Sequence, residues 1–416
     1  MKKHVVLILC FVAVYTSAQS DINYDESKTP RYVLPDVLRL NNGQKVETKE
    51  EWEKLGRPEL MEMFASEMYG RTPGEKIRVR YEKLTENPDD MGGKATCKQV
   101  KFIFSNAEGK EIEAILLLYI PNKPEKKVPV FVSYNYNGNH STTTDTTIYY
   151  PPSFNFIRDV GHTHRERGNQ TSRWCYDRII DRGYAVATMC YHDIFPDVDG
   201  MKEHSIVSLF SGYDAESKAP DEWQAIGAWA WGSSRIVDYL ETEERINAGK
   251  IAIMGHSRQG KAALWAGVQD TRFGIVISND SGSGGAALSK REFGERVANV
   301  SSIKPYWFCP AFNRYRNNEA GLPFDQHQLI ALIAPRKVYI ASASEDLWAD
   351  PKGEFLSAYH AGPVYKLYGM SAIESDRMPE LHQPVLTDIG YHIRAGKHDV
   401  TDYDWERFMD FMDKHF

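Results

Sequence analysis

Gly255-His256-Ser257-Arg258-Gln259-Gly260 sets a serine between two glycines. It follows the apolar run Ile251-Ala252-Ile253-Met254 and precedes Lys261-Ala262-Ala263-Leu264-Trp265-Ala266, which reads as helix. A serine at the apex of a strand-to-helix turn is the geometry of a nucleophile elbow. The spacing is Gly-x-Ser-x-x-Gly, so the second glycine comes one residue late and Arg258-Gln259 fills the gap. Glycines suit such a turn because strand and helix pass too closely for a Cβ. The helix start would aim backbone N–H groups at an oxyanion forming beside the serine. An ordinary Gly-Ser turn has the same local spelling, so a nucleophile also requires a base, an acid and a pocket elsewhere.

A serine hydroxyl attacks only when a histidine takes its proton, and the imidazole needs a carboxylate to hold its tautomer. His398, in Gly396-Lys397-His398-Asp399 before a closing helix, is the candidate base. It competes with His140, His162, His164, His327, His360, His382 and His392. Two carboxylates compete for the acid. Asp280 follows the strand Phe273 to Ser278, and Asp346 follows the strand Lys337 to Ala341. The order Ser, Asp, His is that of the α/β-hydrolases, and Asp346 follows the strand that usually carries the acid. The losing carboxylate would be a loop cap.

These groups need a sheet to bring them together. Residues Gln19 to Gly43 read as an extended arm, and Glu50 to Tyr69 has helical spacing. Ile77 to Leu84, Cys97 to Ser105 and Glu111 to Ile120 read as an antiparallel opening. From Val128 to Tyr136 onward, strands alternate with helices. These include Tyr176 to Arg182, the strand Gly183 to Met189, and the amphipathic helix Asp221 to Leu240. Val364 to Tyr368 reads as the last strand, Gly390 to Val400 as a loop and Trp405 to His415 as the closing helix. That alternation predicts an α/β-hydrolase fold, a mostly parallel central sheet with helices on both faces. Asn137-Gly138 is either the loop that donates an oxyanion N–H or simply a turn. Ser141 to Trp174 is too long for a plain connection and reads as an insertion at the mouth of the site.

The totals bound the function. The chain has 416 residues, 42% hydrophobic, with a net charge of −7, enough for a large core. Neither the charge nor any Lys/Arg block suits a nucleic-acid backbone. Aromatic residues reach 12%, which fits stacking on sugar rings. Residues 1–18 read as a cleavable signal: Lys2 and Lys3, then the apolar run Val5 to Val14, then Thr16-Ser17-Ala18 ahead of Gln19. Cys10 lies inside the apolar run and does not read as a lipid site. No other segment is apolar enough to span a membrane. The expectation is a periplasmic or secreted protein, one catalytic domain over residues 19–416, acting as a monomer. Cys97, Cys175, Cys190 and Cys309 are too few for a disulfide scaffold and form no Cys-x-x-Cys pair, so neither metal nor cofactor is expected.

Gly255-His256-Ser257-Arg258-Gln259-Gly260-Lys261 resembles the Gly-Cys-Ser-Arg-x-Gly-Lys motif of glucuronoyl esterases, carbohydrate esterase family fifteen. Asn279-Asp280-Ser281-Gly282-Ser283-Gly284-Gly285 resembles the family's Glu-Ser-Gly-x-Gly-Gly segment. Glu345-Asp346-Leu347-Trp348-Ala349-Asp350-Pro351 resembles its Trp-bearing loop, and Gly227-Ala228-Trp229-Ala230-Trp231-Gly232 is similar to its aromatic helix. The resemblance runs from about Glu50 to the C-terminus. It implies hydrolysis of esters joining the 4-O-methylglucuronate of xylan to lignin alcohols in the plant cell wall. It implies Ser257 as nucleophile, His398 as base and Arg258 as oxyanion stabiliser, with Lys261, Glu295 and Trp348 holding the sugar. Read from the residues alone, Lys261 and Glu295 are equally well solvated surface groups.

Two positions depart from the family pattern. Fungal members carry cysteines beside the serine and the histidine, where this chain has His256 and Asp399. The usual glutamate of the Glu-Ser-Gly segment is Asp280, one methylene shorter, which shifts weight to Asp346. Two other readings stay open: an esterase for another ester such as acetylated xylan, and a catalytically silent carbohydrate-binding protein on the same scaffold. The intact Ser257 and His398 speak against the silent reading.

Overall fold

The computed structural model describes residues 22–122, 126–157, 166–214, 217 and 219–416. The expected signal at 1–18, and His162 and His164, lie outside the described residues. Ten strands form one sheet: β1 (Arg78–Asp89), β2 (Ala95–Ser105), β3 (Glu111–Pro121), β4 (Val128–Asn135), β5 (Ala185–Cys190), β6 (Ile246–His256), β7 (Phe273–Asn279), β8 (Lys337–Ala343), β9 (Val385–Leu386) and β10 (Ile389–Arg394). Their order is β1-β2-β3-β5-β4-β6-β7-β8-β10-β9. The run from β5 to β10 is parallel, and antiparallel strands flank it at both edges. This is the α/β-hydrolase architecture.

The sheet is covered on both faces, so its strands are apolar on both sides. Alternate residues of β6 feed two separate cores, as the two-residue period requires. Ile251 and Ile253 join Trp229, Ile236 and Leu264 of the helices Ala225–Leu240 and Arg258–Gln269. Ala252 and Met254 join Tyr176, Ile179, Trp405 and Phe408 of the helices Tyr176–Asp181 and Asp402–His415.

The last strand differs from expectation. Val364 to Tyr368 is not a strand: it forms the end and the C-cap of the helix Gly362–Leu367, with Pro363 in its first turn. A short apolar run carries no period to separate the two forms. Gly390 to Val400 is not all loop: its first part is β10, parallel to β8. The polar residues of β10 disguised it. Ile389, Tyr391 and Ile393 enter one core. On the other face, His392 and Arg394 are buried and satisfied by Asp404, at 2.9 Å from His392 Nε2 and 2.7 Å from Arg394 Nε. Cys97, Cys175, Cys190 and Cys309 are free thiols. Among the described residues, no helix is long and apolar enough to cross a membrane.

Candidate active site

Ser257 stands at the carboxyl end of β6 with φ 55° and ψ −128°, a backbone position that costs energy for a residue with a Cβ. Its N–H donates to Asn279 O at 2.8 Å, pinning the turn to β7. The flanking glycines show why the turn needs them. A Cβ on Gly255 would lie 1.9 Å from Gln259 O, and one on Gly260 would lie 2.8 Å from Ser281 Cβ. The late second glycine therefore serves the packing of the helix against the loop after β7.

β7 and β8 are neighbours, so both candidate acids reach the site. Asp346 Oδ2 lies 2.6 Å from His398 Nδ1. Asp280 makes no hydrogen bond to that ring. Its Oδ2 faces Arg394 Nη2 at 3.5 Å and the Asp399 N–H at 3.4 Å, and its Oδ1 is buried without a partner among the described residues. Burial, then Glu354 and Asp346, drive the Asp280 carboxyl well above the usual range. Glu354 is likewise pushed up to about 8 by burial, although it accepts from the Ser281 and Gly282 N–H groups and from Ser342 Oγ. Asp280, Asp346 and His398 each place one donor atom within 4.8 Å of the others. Two of the three residues are already joined in the His398–Asp346 hydrogen bond, which makes this set an acid–imidazole pair beside a third carboxyl rather than a cation cage.

His256 packs against His398, with the two ring centroids 4.4 Å apart. Its Nδ1 lies 2.6 Å from Asn279 Oδ1. Burial, and secondarily His398, push its pKa well below the ordinary value, so the imidazole is neutral and Nδ1–H donates to Asn279. A neutral His256 places no second positive charge against the His398 ring.

Arg258 begins the helix after the elbow. Nη1 is bonded to Asp197 Oδ2, and the guanidinium lies over the Trp307 and Tyr136 rings at 5.0 and 5.4 Å. Its Nε is buried without an acceptor among the described residues, an open donor in the residue next to Ser257. Asp197 also accepts from Trp307 Nε1 at 2.7 Å and faces Lys304 Nζ at 3.4 Å. Burial raises the Asp197 carboxyl, but Arg258 and Lys304 outweigh it and hold it below the usual range. Asp197, Lys304 and Trp307 were missed in the sequence, where no motif spacing marks them.

Lys261 is not a surface group. It is 2% exposed, and its Nζ donates to Glu295 Oε2 at 2.9 Å and to Ser283 O. The Glu295 N–H donates to Trp348 O at 2.8 Å, tying the 295 segment to the indole-bearing loop. Gly294 allows that approach, since its Cβ would lie 2.4 Å from Leu347 O. Ser257, Arg258, Lys261, Glu295, Trp348 and His398 line one cavity of about 470 Å³, walled further by Trp307 and Lys304. Of the competing histidines, His392 is used inside the sheet and His327 Nε2 lies 2.9 Å from Pro35 O, away from this cavity.

A strained serine at a sheet's carboxyl edge, beside a carboxylate-held imidazole and a clamped arginine, defines a carboxylic ester hydrolase of the α/β-hydrolase fold. A family model for fungal glucuronyl esterases matches residues 210–369. The chain is 42% identical over 400 residues to a carbohydrate esterase of an unknown prokaryotic organism, covering 94% of this chain and 92% of that one. The glucuronoyl esterase structure from Solibacter usitatus superposes with a TM-score of 0.86 at 40% identity, covering 94% of this chain and all of that one. A promiscuous esterase of the same family from a marine bacterial metagenome gives the same score and identity over 95% of this chain. The chain belongs to the glucuronoyl esterases, carbohydrate esterase family fifteen.

Proposed function

We propose that the protein hydrolyses 4-O-methylglucuronoyl esters linking glucuronoxylan to lignin alcohols, outside the cytoplasm, through a covalent acyl-enzyme. The observation that carries this reading is the single cavity joining the Ser257 elbow to the buried Lys261–Glu295 pair and the Trp348 indole. Lysine and glutamate together can donate to and accept from vicinal sugar hydroxyls, and an indole matches a pyranose face.

Ser257 Oγ attacks the ester carbonyl as His398 takes its proton on Nε2, the nitrogen not engaged by Asp346. Arg258 Nε–H and the backbone at the helix start meet the oxyanion. The tetrahedral centre collapses, the C–O bond to the alcohol breaks, and the His398 proton goes to the departing oxygen. Water then adds to the acyl-enzyme by the reverse use of His398, releasing the uronic acid. The test is uronic acid release from benzyl glucuronate, set beside acetate release from acetylated xylan. Cleavage of the acetyl ester alone would overturn the reading.

A further inference from the structure

Ser257 opens onto a second hollow, about 220 Å³, on the side away from Lys261 and Glu295. Ser257, Arg258 and His398 belong to both. With the uronate in the first cavity, the ester oxygen must face His398 to receive its proton, and the alcohol then extends into the second.

The lining of this hollow is polar. Asn137, only 6% exposed, contributes a carboxamide to the lining. Arg173 is fixed by Asp399 Oδ1 at 2.6 Å, and its own carbonyl accepts from Trp405 Nε1 at 2.9 Å. Its charge is thereby balanced, so its remaining N–H groups suit neutral oxygen rather than a second anion. Gln170 adds another carboxamide, and Tyr136 supplies a phenol ring, its hydroxyl bonded to His256 O. A hydrocarbon placed here would strip water from the Asn137 amide and return no hydrogen bond.

We propose that this hollow is the subsite for the alcohol half of the ester. It selects alcohols bearing hydroxyl or ether oxygens close to the ester oxygen over plain hydrocarbon alcohols, with Asn137 and Arg173 as the donors. The proposal rests on the reading of Ser257 and the uronate cavity given above.

The experiment compares kcat/KM for the propyl and 2,3-dihydroxypropyl esters of glucuronic acid, each divided by its own rate of hydroxide hydrolysis. The wild type should prefer the dihydroxypropyl ester, and Asn137→Ala should reduce that preference about three- to tenfold, the worth of one hydrogen bond. Equal corrected rates in the wild type would overturn the subsite alone. So would an Asn137→Ala protein that slows both esters by the same factor, since the amide would then serve the carbonyl or the fold. Failure of the wild type to cleave either ester would sink the glucuronate reading, and the subsite with it. If Asn137→Ala is insoluble, Arg173→Gln carries the same test with the same outcomes.

Discussion

Asp346 Oδ2 sits 2.6 Å from His398 Nδ1, while the Asp280 carboxyl, on the neighbouring strand end, turns instead to Arg394 and the Asp399 N–H. The two carboxylates therefore have separable roles. Asp346→Asn should lower kcat by roughly 10³–10⁴, because a carboxamide can select the wrong tautomer of the imidazole. Asp280→Asn should cost less than about tenfold, the range of one ordinary hydrogen bond. The check is kcat for both variants on one glucuronate ester; an inactive Asp280→Asn beside a near-normal Asp346→Asn would reverse the assignment.

Ser257→Ala should remove activity by on the order of 10⁶ in kcat while leaving the fold intact. The exchange deletes one hydroxyl and keeps the Cβ that the turn already tolerates. Unfolding midpoints of the two proteins should agree closely. Near-normal turnover by the alanine protein would sink the nucleophile.

Arg258 is positioned by Asp197, which lies 61 residues earlier in the chain. Arg258→Ala should lower kcat by roughly 10²–10³ with a smaller change in KM, since the lost donor acts on the developing oxyanion. Asp197→Asn should show the same kcat-weighted loss at about a tenth of that size, because it keeps the guanidinium but loosens its orientation. A change confined to KM in both variants would make Arg258 a substrate clamp instead.

Glu354 gives a pH signature in stability. Its carboxyl is pushed up to about 8 by burial, against an ordinary value of 4.5. A carboxyl raised in the fold binds a proton that the unfolded chain releases. Its contribution is complete below the ordinary value and fades as pH climbs toward 8. Glu354→Gln keeps an acceptor for the Ser281 and Gly282 N–H groups and can donate to Ser342 Oγ. The variant should therefore unfold with a flatter pH dependence between 4.5 and 8. At the upper end it should be more stable than the wild type by about 1–3 kcal/mol. Parallel curves for the two proteins across that window would show that Glu354 is ionised in the fold.

The sequence by itself determined the features that depend on local chain geometry. The elbow at Ser257, the order of serine, acid and histidine, and the parallel sheet are written in short runs of apolar residues and glycines. Period and sterics act within a few residues, so they can be read along the chain. The Ser-Arg-x-Gly-Lys and Trp-bearing segments carried the family resemblance for the same reason.

Other features depend on which side chains meet across strands, and only the tertiary structure decided them. Strand order and side-chain length favoured Asp346 over Asp280 without excluding either; register and side-chain direction put one oxygen against His398 and turn the other toward Arg394. From the residues alone, Lys261 and Glu295 fit solvated charges as well as a sugar clamp, and the fold buries them against each other. Asp197 had no local mark at all, and β10 was hidden because its buried His392 and Arg394 take their partner, Asp404, from the closing helix. A buried polar group is stable only when a distant residue completes its hydrogen bonds, and no period along the chain records that partner.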